Sequence, residues 1–296
     1  MTMSTTHPEP ASSRLPVKGS LNLAYAGGLA MGLLMAFTSV IGLAYQRVMY
    51  PSNALRTAFV ASDGFSLVVG LPILIGSMWL ARRGRLIGLL CWPAACFYVL
   101  YVYIPYILGV PFNVLFLPHL LLVVLGAYIL IGLLATIDGE AVRGRLDGFE
   151  PMRIAAGIFV ALGLLILFRQ TVLIIGAMAG GEPVGMLERT TFVADFAVLP
   201  MLLAAGVVLW RRAPLAYAAG PGLLLGYGLL ALGLVPFFVV QSRISGQPVD
   251  SRGVVVVVGM AALCLVPLAF FLRAAERKSP PPKERRSDAA RGSPHG

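Results

Sequence analysis

Two carboxylates stand inside long apolar stretches of this 296-residue chain, and nearly the same residues lead up to each. Arg56-Thr57-Ala58-Phe59-Val60-Ala61-Ser62-Asp63 opens one stretch, and Arg189-Thr190-Thr191-Phe192-Val193-Ala194-Asp195 opens another. A carboxylate is costly to hold within a lipid-spanning helix, so each acid calls for an ionic partner, a water-filled pocket or a task such as binding a cation or a proton. Arg169 also falls inside an apolar stretch. A guanidinium beside a carboxylate stabilises both ions where either alone would be penalised, which makes Arg169 the expected counterion of Asp195 or Asp63. His119, directly after Pro118, adds an imidazole that can act near neutral pH, and Thr38 and Ser39 add hydroxyls.

Depth places these groups together. At ~1.5 Å of rise per residue, Asp63 and His119 lie about 10 Å, Asp195 about 9 Å and Arg169 about 16 Å from the outer ends of their helices. Thr38 and Ser39 lie at a similar level in the first helix, where the second half of the chain has Arg169, Gln170 and Thr171. One polar layer in the outer leaflet is therefore expected, and Asp63, Asp195, Arg169, His119, Thr38 and Ser39 are the candidate set for binding a substrate or ion. Along the second helix Arg56, Asp63, Gly70 and Ser77 recur every seven residues, a polar or small stripe suited to lining a pathway. In the sixth helix Arg189 and Asp195 are six apart and fall on different faces, so the two acids are not expected to be equivalent. Tyr98, Tyr101, Tyr103 and Tyr106 end the third helix and read as an interfacial aromatic belt in preference to a pocket wall.

The elements that carry these residues follow from composition. With 58% hydrophobic residues, 12% charged residues and a mean hydropathy of +0.85, the chain lies outside the range of soluble domains. Segments such as 120–134 and 254–271 are apolar on every side, which excludes the alternation of a barrel strand. The expected fold is all-α, a polytopic bundle of eight helices near 22–46, 57–80, 86–108, 112–136, 153–179, 190–210, 214–240 and 253–273. Most of the 23 Lys and Arg residues fall at one side: Arg14 and Lys18, then Arg82, Arg83 and Arg85, then Arg143, Arg145 and Arg153, then Arg211 and Arg212, then the tail. Arg47, Arg56, Arg189, Arg243 and Arg252 fall at the other, so both termini are expected in the cytoplasm.

The match between halves extends past the acids. Trp79, Arg82-Arg83 and Trp92-Pro93 follow Asp63, and Trp210, Arg211-Arg212 and Gly220-Pro221 follow Asp195 in the same order. An even number of spans returns the chain in the same orientation, so a 4+4 parallel repeat about an axis along the membrane normal is expected. The resulting divisions are a disordered cytoplasmic segment 1–20, a first repeat 21–137, a linker 138–152, a second repeat 153–274 and a disordered basic tail 275–296. Gly28 and Gly32, and Gly222 and Gly226, have the spacing of close helix contacts. Pro72, Pro93, Pro105, Pro118, Pro200, Pro236 and Pro267 would kink or interrupt their helices.

Several classes are excluded. The net charge of +10 sits at helix ends and in the tail, where it serves topology and anionic lipid headgroups and not nucleic acid. Cys91, Cys96 and Cys264 fall inside spans as small apolar residues, and the spacing of Cys and His offers no metal site. No phosphate loop, haem ligand pair or nucleophile elbow is present, so no cofactor is expected.

Asp63-Gly64-Phe65-Ser66-Leu67, Gly70-Leu71-Pro72, Trp79-Leu80-Ala81-Arg82-Arg83-Gly84, Tyr101-Val102-Tyr103 and Phe112-Asn113-Val114-Leu115-Phe116 resemble a family of prokaryotic multi-span integral membrane proteins of about eight helices with no assigned activity. The resemblance covers helices two to four. It implies a membrane bundle and draws attention to Asp63, and it carries no catalytic role. The leading expectation is a small pseudo-symmetric transporter or permease-like protein of the cytoplasmic membrane, binding a polar or cationic solute in an outer-leaflet pocket, with a proton as a coupling ion. The alternatives are a membrane-embedded enzyme or lipid-headgroup-binding protein using Asp63 and His119 as acid and base, and a non-catalytic scaffold or accessory subunit.

Overall fold

The computed structural model describes residues 15–146, 152–180 and 185–277. Eight of its helices are long and apolar enough to cross a membrane, and they define a multi-pass membrane protein. The first span is α1 (Asn22–Ala44). A turn at Tyr45 and the short α2 (Gln46–Met49) then lead to the second span, Asn53–Arg82. That span consists of α3 (Asn53–Phe65), a π-helical stretch (Ser66–Gly70) and α4 (Leu71–Arg82). The remaining spans are α5 (Leu86–Gly109), α6 (Phe116–Thr136), α8 (Met152–Met178), α9 (Met186–Trp210), α10 (Pro214–Ser245) and α11 (Ser251–Arg277). The short α7 (Gly139–Leu146) joins α6 to the second group.

Where the ends differ from expectation, local polar groups explain it. The second span starts at Asn53 and not at 57, because the Ser52 hydroxyl accepts the Leu55 N–H at 3.2 Å and caps the helix. The fourth starts at Phe116 and not at 112, since Asn113 folds back to accept the Leu115 N–H at 2.8 Å. Within the segment 1–20, expected to be disordered, residues 15–20 are ordered. Val17 bridges Ile137, and the Lys18 and Asp138 N–H groups donate to Thr136 and Pro16 carbonyls at 2.8 Å, satisfying the backbone where α6 ends. Part of the expected linker is helix α7, whose start is capped by Asp138. The rest of the amino-terminal segment, residues 147–151 of the linker and the tail beyond Arg277 lie outside the described residues.

Helix α5 is apolar around its circumference and is buried along most of its length. It packs against α4, α6, α9 and α10, while α10 packs in turn against α11 and α3. The α5–α10 contact is close because Gly222 lies against the Leu90 backbone and Gly226 against the Phe97 ring. Helix α8 rests on α9 and more lightly on α11, at the edge of the bundle. Pro93, Pro105, Pro200, Pro236 and Pro267 stand within continuous helices, and Pro72 stands directly after the π-helical stretch inside the continuous span Asn53–Arg82.

Candidate functional site

Asp63 is fully buried between α1, α3, α5 and the turn that holds Tyr50. The Tyr50 hydroxyl donates to Oδ2 at 2.6 Å, and the Tyr106 hydroxyl donates to Oδ1 at 2.9 Å while also lying 3.3 Å from the Phe59 carbonyl. Burial, and then the Asp63 carboxyl beside it, push the Tyr50 hydroxyl far above the ordinary phenol range, so that it remains a donor. Helix α1 approaches so closely at Gly42 that a Cβ there would overlap Oδ2 of Asp63 and the Tyr50 hydroxyl. Glycine is what lets the carboxyl lie against that backbone. The π-helical stretch begins three residues later and aims Ser66 at the Tyr98 hydroxyl, 3.0 Å away.

Around this acid the polar groups continue. Ser39 and Tyr103 share a hydrogen bond of 3.2 Å, and Thr38 turns its hydroxyl back to the Met35 carbonyl at 3.2 Å. The His119 ring lies 4.7 Å from that of Tyr106 and 5.5 Å from that of Tyr103, and its Nε2 is buried with no hydrogen-bond partner among the described residues. Among the described residues no Arg or Lys pairs with Asp63. The buried carboxyl is therefore held by tyrosine hydroxyls, with no charged partner among the described residues.

Asp195 has other company. Gln170 Nε2 donates to Oδ2 at 2.6 Å, Tyr101 donates to Oδ1, and an Arg169 guanidinium nitrogen lies 3.6 Å from Oδ2. The Arg169 side chain is 55% exposed, whereas that of Asp195 is 10% exposed, so the ion pair lies at the bundle edge. Adjacent residues of α8 thus supply a charge and an amide.

Of the two acids open to Arg169, the structure pairs it with Asp195. The single expected polar layer is two clusters, one joining Asp63, Ser39 and His119 and the other joining Asp195 and Arg169. Asp63, Gly70 and Ser77 do share a buried face, but the stripe is packed closed there. A Cβ on Gly70 would meet the Tyr98 ring, and the Ser77 hydroxyl bonds its own helix at the Leu74 carbonyl, 2.9 Å away. Arg56 turns to Asn53. The tyrosines of α5 form no interfacial belt: Tyr98, Tyr103 and Tyr106 are buried, and with Tyr101 they donate to or share hydrogen bonds with the two clusters. Their hydroxyls find partners inside the bundle, which removes the reason to sit at the headgroups. Tyr50 escaped the sequence reading, and Ser66 and Gln170 were noted there without a place among the candidate residues. The spacing Tyr98, Tyr101 and Tyr103, Tyr106 at i,i+3 was the available signal for a tyrosine face on α5.

No family model, curated protein or solved structure matches the chain. What stands of the family resemblance is its architecture, a multi-span membrane protein. The fold and the site together describe a helical membrane protein with two acid-centred polar clusters hung on one central helix.

Proposed function

We propose that the protein is a small permease-like membrane protein of two parallel four-helix halves, and that Asp63 is its proton-binding group. One observation carries this reading. Both oxygens of a fully buried carboxyl receive neutral tyrosine hydroxyls, with the Gly42 backbone pressed against them, so the site has room for a proton and none for a solute. Proton uptake there changes the charge of a dry four-element junction, which gives a means to bias the packing of the helices around it. A polar or cationic solute would then be met in a rearranged state.

Support for two halves comes from the repeated Arg-to-Asp segments and from α5 and α10, third in each group, which pack on one another. The bias of Lys and Arg supports both termini in the cytoplasm and residence in the cytoplasmic membrane. The Arg169–Asp195 pair is assigned a structural role, holding α8 to α9. Infrared difference spectra between acid and alkaline pH, recorded on protein in lipid bilayers, test the reading. Beside the bands of the chain's other carboxyls, one protonated-carboxyl component is expected in the wild type and in Asp195→Asn and is expected to be missing in a folded Asp63→Asn protein. The same component in all three proteins would exclude Asp63 as the proton-binding group.

A further inference from the structure

At the end of the bundle where α9 turns into α10, α6 and α9 scarcely touch, and a cavity of about 160 Å³ opens between them. Its floor is Phe97 of α5 and Gly222 of α10, its walls include Leu134 of α6 and Ala205 of α9, and Leu209 and Leu215 frame it on either side of the α9–α10 turn. Apolar side chains and a glycine line it, and Leu215 is 52% exposed at the rim. An engineered apolar cavity of about 150 Å³ stays dry and takes up benzene, so a space of this size and lining suits a hydrocarbon and not water.

The turn between Leu209 and Leu215 carries Arg211 and Arg212, both exposed. Among the described residues neither has an ion-pair partner. The Arg211 and Arg212 N–H groups close α9 on the Val207 and Leu209 carbonyls at 3.0 Å, which ties the two guanidinium-bearing residues to the rim of the cavity. Arg212 has φ 53°, a left-handed conformation that suits glycine. In the turn after α4 the left-handed residue is Gly84, which follows the Arg82-Arg83 pair, at φ 76°.

We propose that this groove is a specific phospholipid site: a segment of one acyl chain occupies the cavity between α6 and α9, and Arg211 and Arg212 bind the phosphate of an anionic headgroup. Hydrocarbon and phosphate then meet complementary surfaces at one interfacial level. The site is separate from the Asp63 cluster and does not depend on the proton reading.

Native mass spectrometry of the full chain, delipidated and titrated with phosphatidylglycerol or phosphatidylcholine of identical acyl chains, tests the assignment. The wild type is expected to hold one phosphatidylglycerol at least tenfold more tightly than phosphatidylcholine. An Arg211→Gln, Arg212→Gln variant should lose that preference, and Ala205→Leu, which fills the cavity, should weaken both lipids. An Arg243→Gln, Arg252→Gln variant, altered at the other end of α10 and α11, should behave as wild type. Equal affinity for the two lipids in wild type, or an undiminished preference in the Arg211/Arg212 variant, would overturn the site. If Ala205→Leu does not fold, Ala204→Leu on the same wall gives the cavity reading, and unchanged binding in a folded variant of either kind would also overturn it.

Discussion

Asp63 and Asp195 follow nearly the same residues, yet one is buried among tyrosines and the other is paired with an arginine. The difference comes from the facing helices. In the first half α1 presents Thr38, Ser39 and the close approach at Gly42, and the charge-free donors Tyr50 and Tyr106 reach the carboxyl. In the second half α8 presents Arg169 and Gln170, and the acid is neutralised by an ion pair at the bundle edge. Helix α5 serves both, Tyr106 reaching one way and Tyr101 the other. A carboxylate already matched by a fixed cation has little cause to change protonation, whereas one held by neutral hydroxyls does. The proposal of a proton-responsive first half and a second half held by a structural ion pair rests on this difference.

The contrast can be broken most severely at two glycines. Gly42→Ala drives a methyl group into Asp63 and Tyr50, and a loss of about 1–3 kcal/mol is expected from overpacking in a filled interior. Gly176→Ala on α8 meets nothing within 4 Å and should leave stability unchanged or raise it by up to about 1 kcal/mol. Thermal unfolding of both variants in the same detergent checks this. Equal melting temperatures would mean that α1 is free to move off the acid and that the first cluster is not tightly closed.

A tyrosine pair sharpens the same point with a smaller effect. Tyr106→Phe leaves Oδ1 of Asp63 without its hydroxyl donor in a dry interior, at a cost of about 1–3 kcal/mol. Tyr101→Phe likewise leaves Oδ1 of Asp195 without its hydroxyl donor, but Gln170 and Arg169 still hold Oδ2 and the pair lies at the bundle edge, so a smaller loss, about 1 kcal/mol, is expected. A double-mutant cycle with Asp63→Asn should show coupling to Tyr106 and none to Tyr101. Coupling of equal size to both tyrosines would erase the distinction between the clusters.

Much of the bundle was legible because hydropathy reads out the length of chain that can lie in lipid. The eight spans, the interior place of Asp63 and His119, and an acid partner for Arg169 all follow from apolar length and from the cost of charge in lipid. The partners of Asp63 were not legible. Tyr50 approaches from a turn outside the spans, and the α5 tyrosines have the amphipathic chemistry that equally suits an interface. Only packing decides between those places. The seven-residue stripe failed as a pathway for a related reason, since periodicity puts Asp63, Gly70 and Ser77 on one face but says nothing of the Tyr98 ring that fills it.

The ion pair in the second half yields a weaker prediction. Arg169→Gln retains a polar group at the bundle edge, and because the side chain is 55% exposed a change within about 1 kcal/mol is expected in the melting measurement. A loss several times larger would show that Asp195 cannot tolerate solitude, and would make the second cluster as closed as the first.

His119 gives the smallest expected change in stability and separates packing from proton handling. Its ring lies against Tyr103 and Tyr106, contacts that a phenyl ring can reproduce, while its Nε2 is buried with no partner among the described residues. Replacing that nitrogen with carbon removes an unsatisfied polar atom, so His119→Phe should be neutral or stabilising by up to about 1 kcal/mol. An imidazole that serves only as packing would leave the pH-dependent infrared spectrum of the Asp63 carboxyl unchanged on substitution. An imidazole that passes protons to the cluster would slow the appearance of the band after a pH jump while leaving its final amplitude intact. Rates at unchanged stability thus assign His119 to the responsive cluster or to its wall.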